Sequence, residues 1–396
     1  MHLRFTTAGE SHGPGLIAVI EGVPAGIELA PEDLNDDLAR RQLGYGRGGR
    51  MKIEKDAATV LSGIRHGKTL GSPIALSMPN RDYANWEDRM NPWPVEAEVS
   101  EVHLPRPGHA DLAGVQKFGH HDVRNVLERA SARETTARVA AGAVARAILR
   151  DLGVEIRSHV TRIGEVDAPA LDRPLTVEDF AGVDESPVRC LDKETERQMI
   201  RHIDVQRKAN ESIGGIFDVL VFGLVPGVGS YTTWDGRIEG RLAQAMCSIQ
   251  AIKGVGFGDG FDLTNVPGSQ AHDEMFPGGD PYGFHRTTNH AGGIEGGMTN
   301  GETVVIRAAM KPLPTLTKPL RSIDIETGEE TQALRERTDS CTVPAAGVVG
   351  EAMAALVFAD AYLEKFGGDN IADTKAALSE YSARIAGEAV FSKEHS

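Results

Sequence analysis

The chain has 396 residues, 40% hydrophobic and 25% charged, the balance of an ordinary water-soluble globular protein able to bury a sizeable core. Its formal net charge of −15 excludes a general binder of nucleic acid or anionic membranes, which needs excess Lys and Arg on at least one face, so a site for an acidic ligand has to be local. A membrane span is excluded too: the longest apolar stretches, such as Ala345 to Ala359, are broken by Gly and Glu and fall short of the ~20 apolar residues required.

The N-terminal MHLRFTTAGESHG has no basic region leading into an apolar one, so a cytoplasmic location is expected. Within it, Gly9-Glu10-Ser11-His12-Gly13 sets a histidine on a glycine-flanked turn just before the apolar run Leu16 to Ile20, which reads as a strand. A histidine held there can exchange a proton near neutral pH; the plainer reading is a turn histidine facing solvent. The segment also matches the Gly-x-Ser-x-Gly of serine hydrolases, but that motif leads into a helix, and an apolar strand follows here.

Pro31 to Arg41 has Pro near its start, acids in its first turn and bases in its last, the arrangement that suits a helix dipole. It delivers Arg40 and Arg41 to the glycine-rich loop Gly44 to Arg50, where Arg47 and Arg50 join them. Guanidinium forks and close backbone amides suit phosphate and carboxylate, so the cluster is read as an anion site, with a solvated basic loop as the alternative. Gly44, Gly46 and Gly49 satisfy GxGxxG, yet a helix precedes them where the dinucleotide fingerprint needs a strand.

Arg106-Pro107-Gly108-His109-Ala110-Asp111 places a second histidine on a Pro-Gly turn with an acid two residues on. His120-His121-Asp122 reads as an exposed or metal-tempting triplet, but adjacent histidines seldom share a metal without further ligands placed around them, so no metal is assigned. Ser131 to Leu152 opens on a Ser-x-x-Glu capping box, Ser131 with Glu134, and ends at Gly153. Its small residues on most faces predict a buried helix, and Arg129 and Arg133 beside its first-turn amides could bind an anion. Ile216 to Leu224 and Thr303 to Ala308 read as strands. Lys311 to Thr315 reads as a rigid turn, and Arg337 and Asp339 precede a second buried helix, Ala345 to Phe366, which stops at Gly367. Cys190, Cys247 and Cys341 have no CxxC spacing and are read as reduced packing residues. No repeat, low-complexity run or Pro/Ser linker divides the chain. One domain over residues 1–396 is expected, of class α+β, with helices inside and mixed sheets around them.

Taken in order, Gly9 to Gly13, Gly44 to Gly48, Arg106 to Asp111, Glu128 to Thr135, Gly292 to Gly297, Lys311 to Thr315 and Arg337 to Asp339 resemble the motifs of the chorismate synthase family over essentially the whole chain. Departures are small: Glu21 stands where Asp is usual, and Thr338 where Ser or His is common. The resemblance implies a 1,4-anti elimination of phosphate from 5-enolpyruvylshikimate 3-phosphate to give chorismate, with reduced FMN required and no net redox. It implies a single-domain β-α-β sandwich, central helices packed between antiparallel sheets, assembled as a homotetramer. By match, His12 protonates the departing phosphate, His109 keeps the flavin correctly protonated, and Asp339 relays a proton at its N5. Matched flavin contacts are Arg129, Ala130, Ser131, Gln250, Ala251, Gly296, Lys311, Pro312, Leu313, Pro314, Thr315 and Arg337. Arg41 and Arg47 fall where the family is associated with NADP, and Arg47, Arg50, Arg129 and Arg337 would hold the anionic substrate. No extra domain is visible, so dependence on a separate flavin reductase is expected, with NADPH as an indirect electron source.

Two rivals come from other classes. A nicotinamide-dependent oxidoreductase rests on the GxGxxG match, against which the Pro31 helix speaks. An RNA-binding module rests on the Arg-Gly pattern, but aromatics make up only 5% of the chain, too few for a stacking surface.

Overall fold

Alternation of apolar and polar residues shapes the N-terminal sheet. In β1 (Arg4–Ala8), β2 (Gly15–Glu21), β3 (Thr59–Ser62) and β4 (Ile74–Pro79), every second residue of β2 and β4 turns inward. Leu16, Ala18, Ile20, Ile74, Leu76 and Met78 are thereby fully buried. The order is β1-β2-β4-β3, antiparallel throughout, with Phe5 opposite Ile20 and Ala18 opposite Leu76. The structure, a computed structural model, describes residues 2–48, 55–171, 173–279, 281–335 and 339–387.

A second antiparallel sheet contains β5 (Glu155–Ile163), β6 (Val166–Asp167), β7 (Gly215–Phe222), β8 (Ile252–Phe257) and β9 (Val304–Met310), in the order β8-β9-β7-β5-β6. The helices used below are α1 (Pro31–Gln42), α2 (Asp111–Phe118), α3 (Arg124–Ala130), α4 (Thr135–Asp151), α5 (Ile238–Cys247) and α6 (Val343–Phe366). Helix α4 packs on β2 and β4 of the first sheet, α6 on β5 and β7 of the second, and the two helices pack on each other. The class is α+β, with antiparallel sheets.

Small residues make the α4–α6 crossing possible. A Cβ built on Gly142 would lie 2.4 Å from that of Ala352, so only glycine permits the observed approach. Helix α6 runs 24 residues and is long and apolar enough to cross a membrane, two residues longer at its start than the sequence suggests; its surface is instead covered by α1, α4, α5 and the second sheet. It carries one buried carboxylate, Glu351, which Arg40 grips with both nitrogens at 2.9 Å.

Two local readings need correction. Ser131 caps a short 3₁₀ turn, Ala132–Glu134, its hydroxyl accepting from the Arg133 amide at 3.3 Å, and α4 proper starts at Thr135. Glu134 does not close a capping box: its buried carboxylate accepts from the Thr7 hydroxyl at 2.7 Å and pairs with Arg138, because β1 and the next turn of α4 offer it partners. Arg40 does not join an anion loop, since it points along α1 to Asp37, Asp184 and Glu351.

Candidate active site

The N-terminal ends of α4 and α6 open onto one cavity of about 690 Å³, within the roughly 300–1,000 Å³ typical of cofactor and substrate sites. Thr135 of α4 and Ala132 and Arg133 of the 3₁₀ turn before it line one side, and Ala345, Ala346 and Val349 of α6 with its N-cap Thr342 line the other. The partial positive charge at helix starts favours anions there. This is where an acidic protein concentrates positive potential.

Side chains add to that charge. Arg41 donates to the Thr135 hydroxyl at 2.9 Å and to the Ala132 carbonyl at 3.0 Å. It shares buried Asp56 with Arg133, at 3.4 and 2.5 Å, so two guanidiniums face one carboxylate and a positive surplus is left. Burial pulls the Arg41 guanidinium down; Asp56 opposes this, while Arg47 and Arg133 reinforce it. Lys311 donates to the Gly108 carbonyl at 2.6 Å, and burial, aided by Lys253, lowers its pKa.

The glycine loop positions Arg47. Gly46 has φ +88°, and a Cβ there would approach Ile203 at 3.0 Å and the Cys341 amide at 3.1 Å, so glycine lets the loop dock on residues 340–341, where its carbonyl accepts from the Ser340 amide at 2.7 Å. Docking brings Arg47 Nε within 3.1 Å of Asp339 Oδ2, whose other oxygen accepts from the Gly48 amide at 2.5 Å. The helix before this loop confirms that GxGxxG here is no dinucleotide fingerprint.

Both histidines sit against buried carboxylates. His12 Nδ1 lies 2.9 and 3.0 Å from the two oxygens of Glu128, and its ring stacks on Trp86 with centroids 3.9 Å apart. The solvent-facing reading of His12 is thus overturned; a side chain 116 residues away claims the ring. His109 Nδ1 lies 2.5 Å from Asp111 Oδ1, and Arg106 holds the same carboxylate at 2.8 Å. At that distance Nδ1 carries the hydrogen, so the nearby Arg106 NH2 at 3.2 Å is packed against the ring rather than donating to it. Burial pushes the Asp111 carboxyl up, but the bonds from His109 and Arg106 outweigh it and hold it well below the usual range. Glu128 is held down in the same way, chiefly by His12 against the opposing effect of burial.

His12, His109, Asp339, Arg41, Arg47, Ala130, Ser131, Gln250, Ala251, Lys311, Leu313, Pro314 and Thr315 all line this cavity. Ala251, at φ +68°, turns its carbonyl to accept from the Lys311 amide at 2.9 Å, which joins two segments sixty residues apart in sequence. Arg129 does not line the cavity: it donates to the Gly9 and Thr7 carbonyls at 3.0 and 2.8 Å and staples the turn that carries His12. Gly296, exposed on a hairpin turn, and Pro312 do not line the cavity. Arg50 and Arg337 lie outside the described residues. Among the residues without a role in the sequence reading are Asp56, Glu128, which appeared only as part of a motif, and Trp86 with Asp82; no local pattern links the last three to His12.

Comparison with known proteins agrees with this geometry. The family model for chorismate synthase matches residues 3–363. A relative from Rubrobacter xylanophilus named chorismate synthase is 55% identical over 385 residues, covering 97% of this chain and 98% of that protein. One from Mycobacterium tuberculosis with the same name is 53% identical over 392 residues, covering 97% of each. The crystal structure of a chorismate synthase matches with a TM-score of 0.79 at 41% identity, covering 98% of this chain and 99% of that one.

Proposed function

The chain belongs to the chorismate synthase family, and from that premise we propose how its residues convert 5-enolpyruvylshikimate 3-phosphate into chorismate and phosphate. The enzyme is a carbon–oxygen lyase that requires a reduced flavin, which we take to be FMN. The observation that carries the reading is the pairing of two carboxylate-anchored histidines on one positively charged cavity.

The cavity fits a flavin. Gln250 lines it and its Oε1 is buried with no partner, an acceptor that an amide donor of a ligand would satisfy. Ala130, Ser131, Gln250, Ala251 and the 311–315 turn would hold the isoalloxazine and its phosphate. A reduced flavin bound there would supply electron density for the departure of phosphate without net oxidation.

The protein's own groups handle the anions and the protons. The C–O bond to phosphate breaks with its electron pair going to the phosphate oxygen, while the ring C–H bond breaks with its proton passing to the wall that carries Asp339 and its electron pair moving into the ring to complete the diene. His12 delivers a proton from Nε2 to the departing phosphate, which lowers the charge that oxygen would otherwise carry. His109 keeps the flavin-side proton in place, and Asp339, oriented by Arg47 and the Gly48 amide, relays a proton on that wall. Arg41, Arg47 and Arg133, with the start of α6, bind the substrate's phosphate and carboxylates; a substrate role for Arg50 and Arg337 rests on the family resemblance alone. Arg129 supports this indirectly through the Gly9 turn.

We also take the chain to be a single-domain β-α-β sandwich, forming a cytoplasmic homotetramer that receives electrons, ultimately from NADPH, through a separate flavin reductase. The test is anaerobic turnover of 5-enolpyruvylshikimate 3-phosphate with photoreduced FMN, following chorismate absorbance and phosphate release beside His109→Ala. Equal appearance of both products, much slowed in the variant, supports the reading; no product from the wild type under fully reducing conditions overturns it.

A further inference from the structure

Glu128 has no part in the chemistry above, yet it is almost fully buried and surrounded by donors. Its carboxylate accepts from the His12 backbone amide at 2.9 Å, from His12 Nδ1 at 2.9 and 3.0 Å, and from Arg124 at 3.0 Å. A carboxylate only accepts, so the ring nitrogen facing it carries a hydrogen in both the neutral and the cationic imidazole. Nε2 is then the position that gains and loses a proton. Trp86 covers one face of the ring at 3.9 Å, itself fixed by donation from Nε1 to Asp82 at 3.1 Å and by the Arg124 guanidinium 5.1 Å from its centroid.

Docking of the turn does not rest on this carboxylate alone. Beside its bond from the His12 amide, the Ser11 amide bonds the Glu128 backbone carbonyl at 3.0 Å, and the Asn80 side chain holds the Glu10 and Gly13 carbonyls at 3.1 and 2.8 Å. With the turn held at these other points, the contacts of the carboxylate with Nδ1 act on the ring.

Resting on the functional reading above, we propose that Glu128 is the positioning residue of His12: it fixes the Nδ1–H tautomer and aims Nε2 at the departing phosphate oxygen. Glu128→Gln is the informative change, because its amide puts a donor against a site where all three partners donate.

In the full-length protein labelled with ¹⁵N-histidine, the two ring nitrogens of His12 are assigned by their loss in His12→Ala. The neutral wild-type ring should show Nδ1 protonated and Nε2 bare; Glu128→Gln should shift both nitrogens towards a mixed tautomer. With reduced FMN, Glu128→Gln should lower kcat about 10²-fold and change KM by less than ~3-fold, as expected where proton delivery alone is impaired. In the His12→Ala background it should have little further effect, since a residue acting through His12 is not additive with its loss. Glu128→Asp, which keeps the charge, replaces the Gln variant should that one not fold, and should retain the tautomer with an intermediate kcat. An unchanged tautomer in Glu128→Gln, or a further fall of similar size in the His12→Ala background, overturns the proposal. If the wild type gave no chorismate, the functional reading would fail by itself, while the nitrogen shifts would still decide the tautomer.

Discussion

Replacing Glu351 by Gln should unbalance a buried charge cluster and strongly destabilise the protein. Glu351 is 0% exposed and is the meeting point of Arg40, Arg146 and Arg189 at 2.9, 2.5 and 3.0 Å, with the Ser158 hydroxyl at 2.6 Å. Burial raises its carboxyl pKa, but the three arginines overcome this and hold it well below the ordinary range. Asp37 and Asp184 are the other carboxylates holding these guanidiniums, so three cations and three anions balance. Glutamine keeps the shape, removes one anion and turns an NH₂ towards donors. Relief of the glutamate's own desolvation does not offset the loss, because breaking a buried pair from one side costs roughly 3–5 kcal/mol. With a urea slope near ~3–4 kcal/mol/M for a chain of this size, the unfolding midpoint should fall by about 1 M with the slope unchanged. A depressed folded-state pKa contributes stability that is present above the unfolded value, ~4.3, and is lost as pH falls. The gap between wild type and variant should therefore be constant from about pH 6 to 8 and narrow below about pH 4. A midpoint shift under ~0.3 M at neutral pH, or a gap that widens on acidification, would refute this reasoning.

Three further outcomes follow from the same geometry. Gly142→Val drives a side chain into Ala352 and should destabilise by roughly 1–3 kcal/mol despite losing a helix glycine, read as a lower melting temperature. Asp111→Asn leaves His109 and Arg106 without their shared carboxylate and should cut kcat by about 10²-fold while the midpoint falls by under ~1 M urea; an unchanged kcat would remove His109 from the proton path. Lys311→Met removes a cation from the cavity wall but keeps the length of the stem, and should weaken reduced FMN binding about tenfold in an anaerobic titration, or ~1.4 kcal/mol.

How far the chain could be read without coordinates depended on the range of the interaction. Periodicity and helix punctuation are local, so α1 was legible from Pro31 and its terminal charges, β2 from Leu16 to Ile20, and the buried character of α4 and α6 from their Ala, Gly and Val content. Candidate residues in clustered motifs were legible too: His12, His109, Lys311, Leu313 to Thr315 and Asp339 stood out in sequence and meet in one cavity.

Partner choice was not legible. Arg40 and Arg41 are adjacent in sequence, yet the helix sends one to Glu351, 311 positions away, and the other to Thr135 at the cavity. Glu134 looked like half of a capping box until the neighbouring strand offered it Thr7. Local pattern was enough to set the helical and strand segments, the glycines that free the backbone and the supply of titratable residues. That Glu128 holds His12 and Asp111 holds His109 at a shared positive cavity came from packing, because a buried charge settles on whatever opposite charge or donor is brought within about 3 Å, and no local pattern encodes that distance.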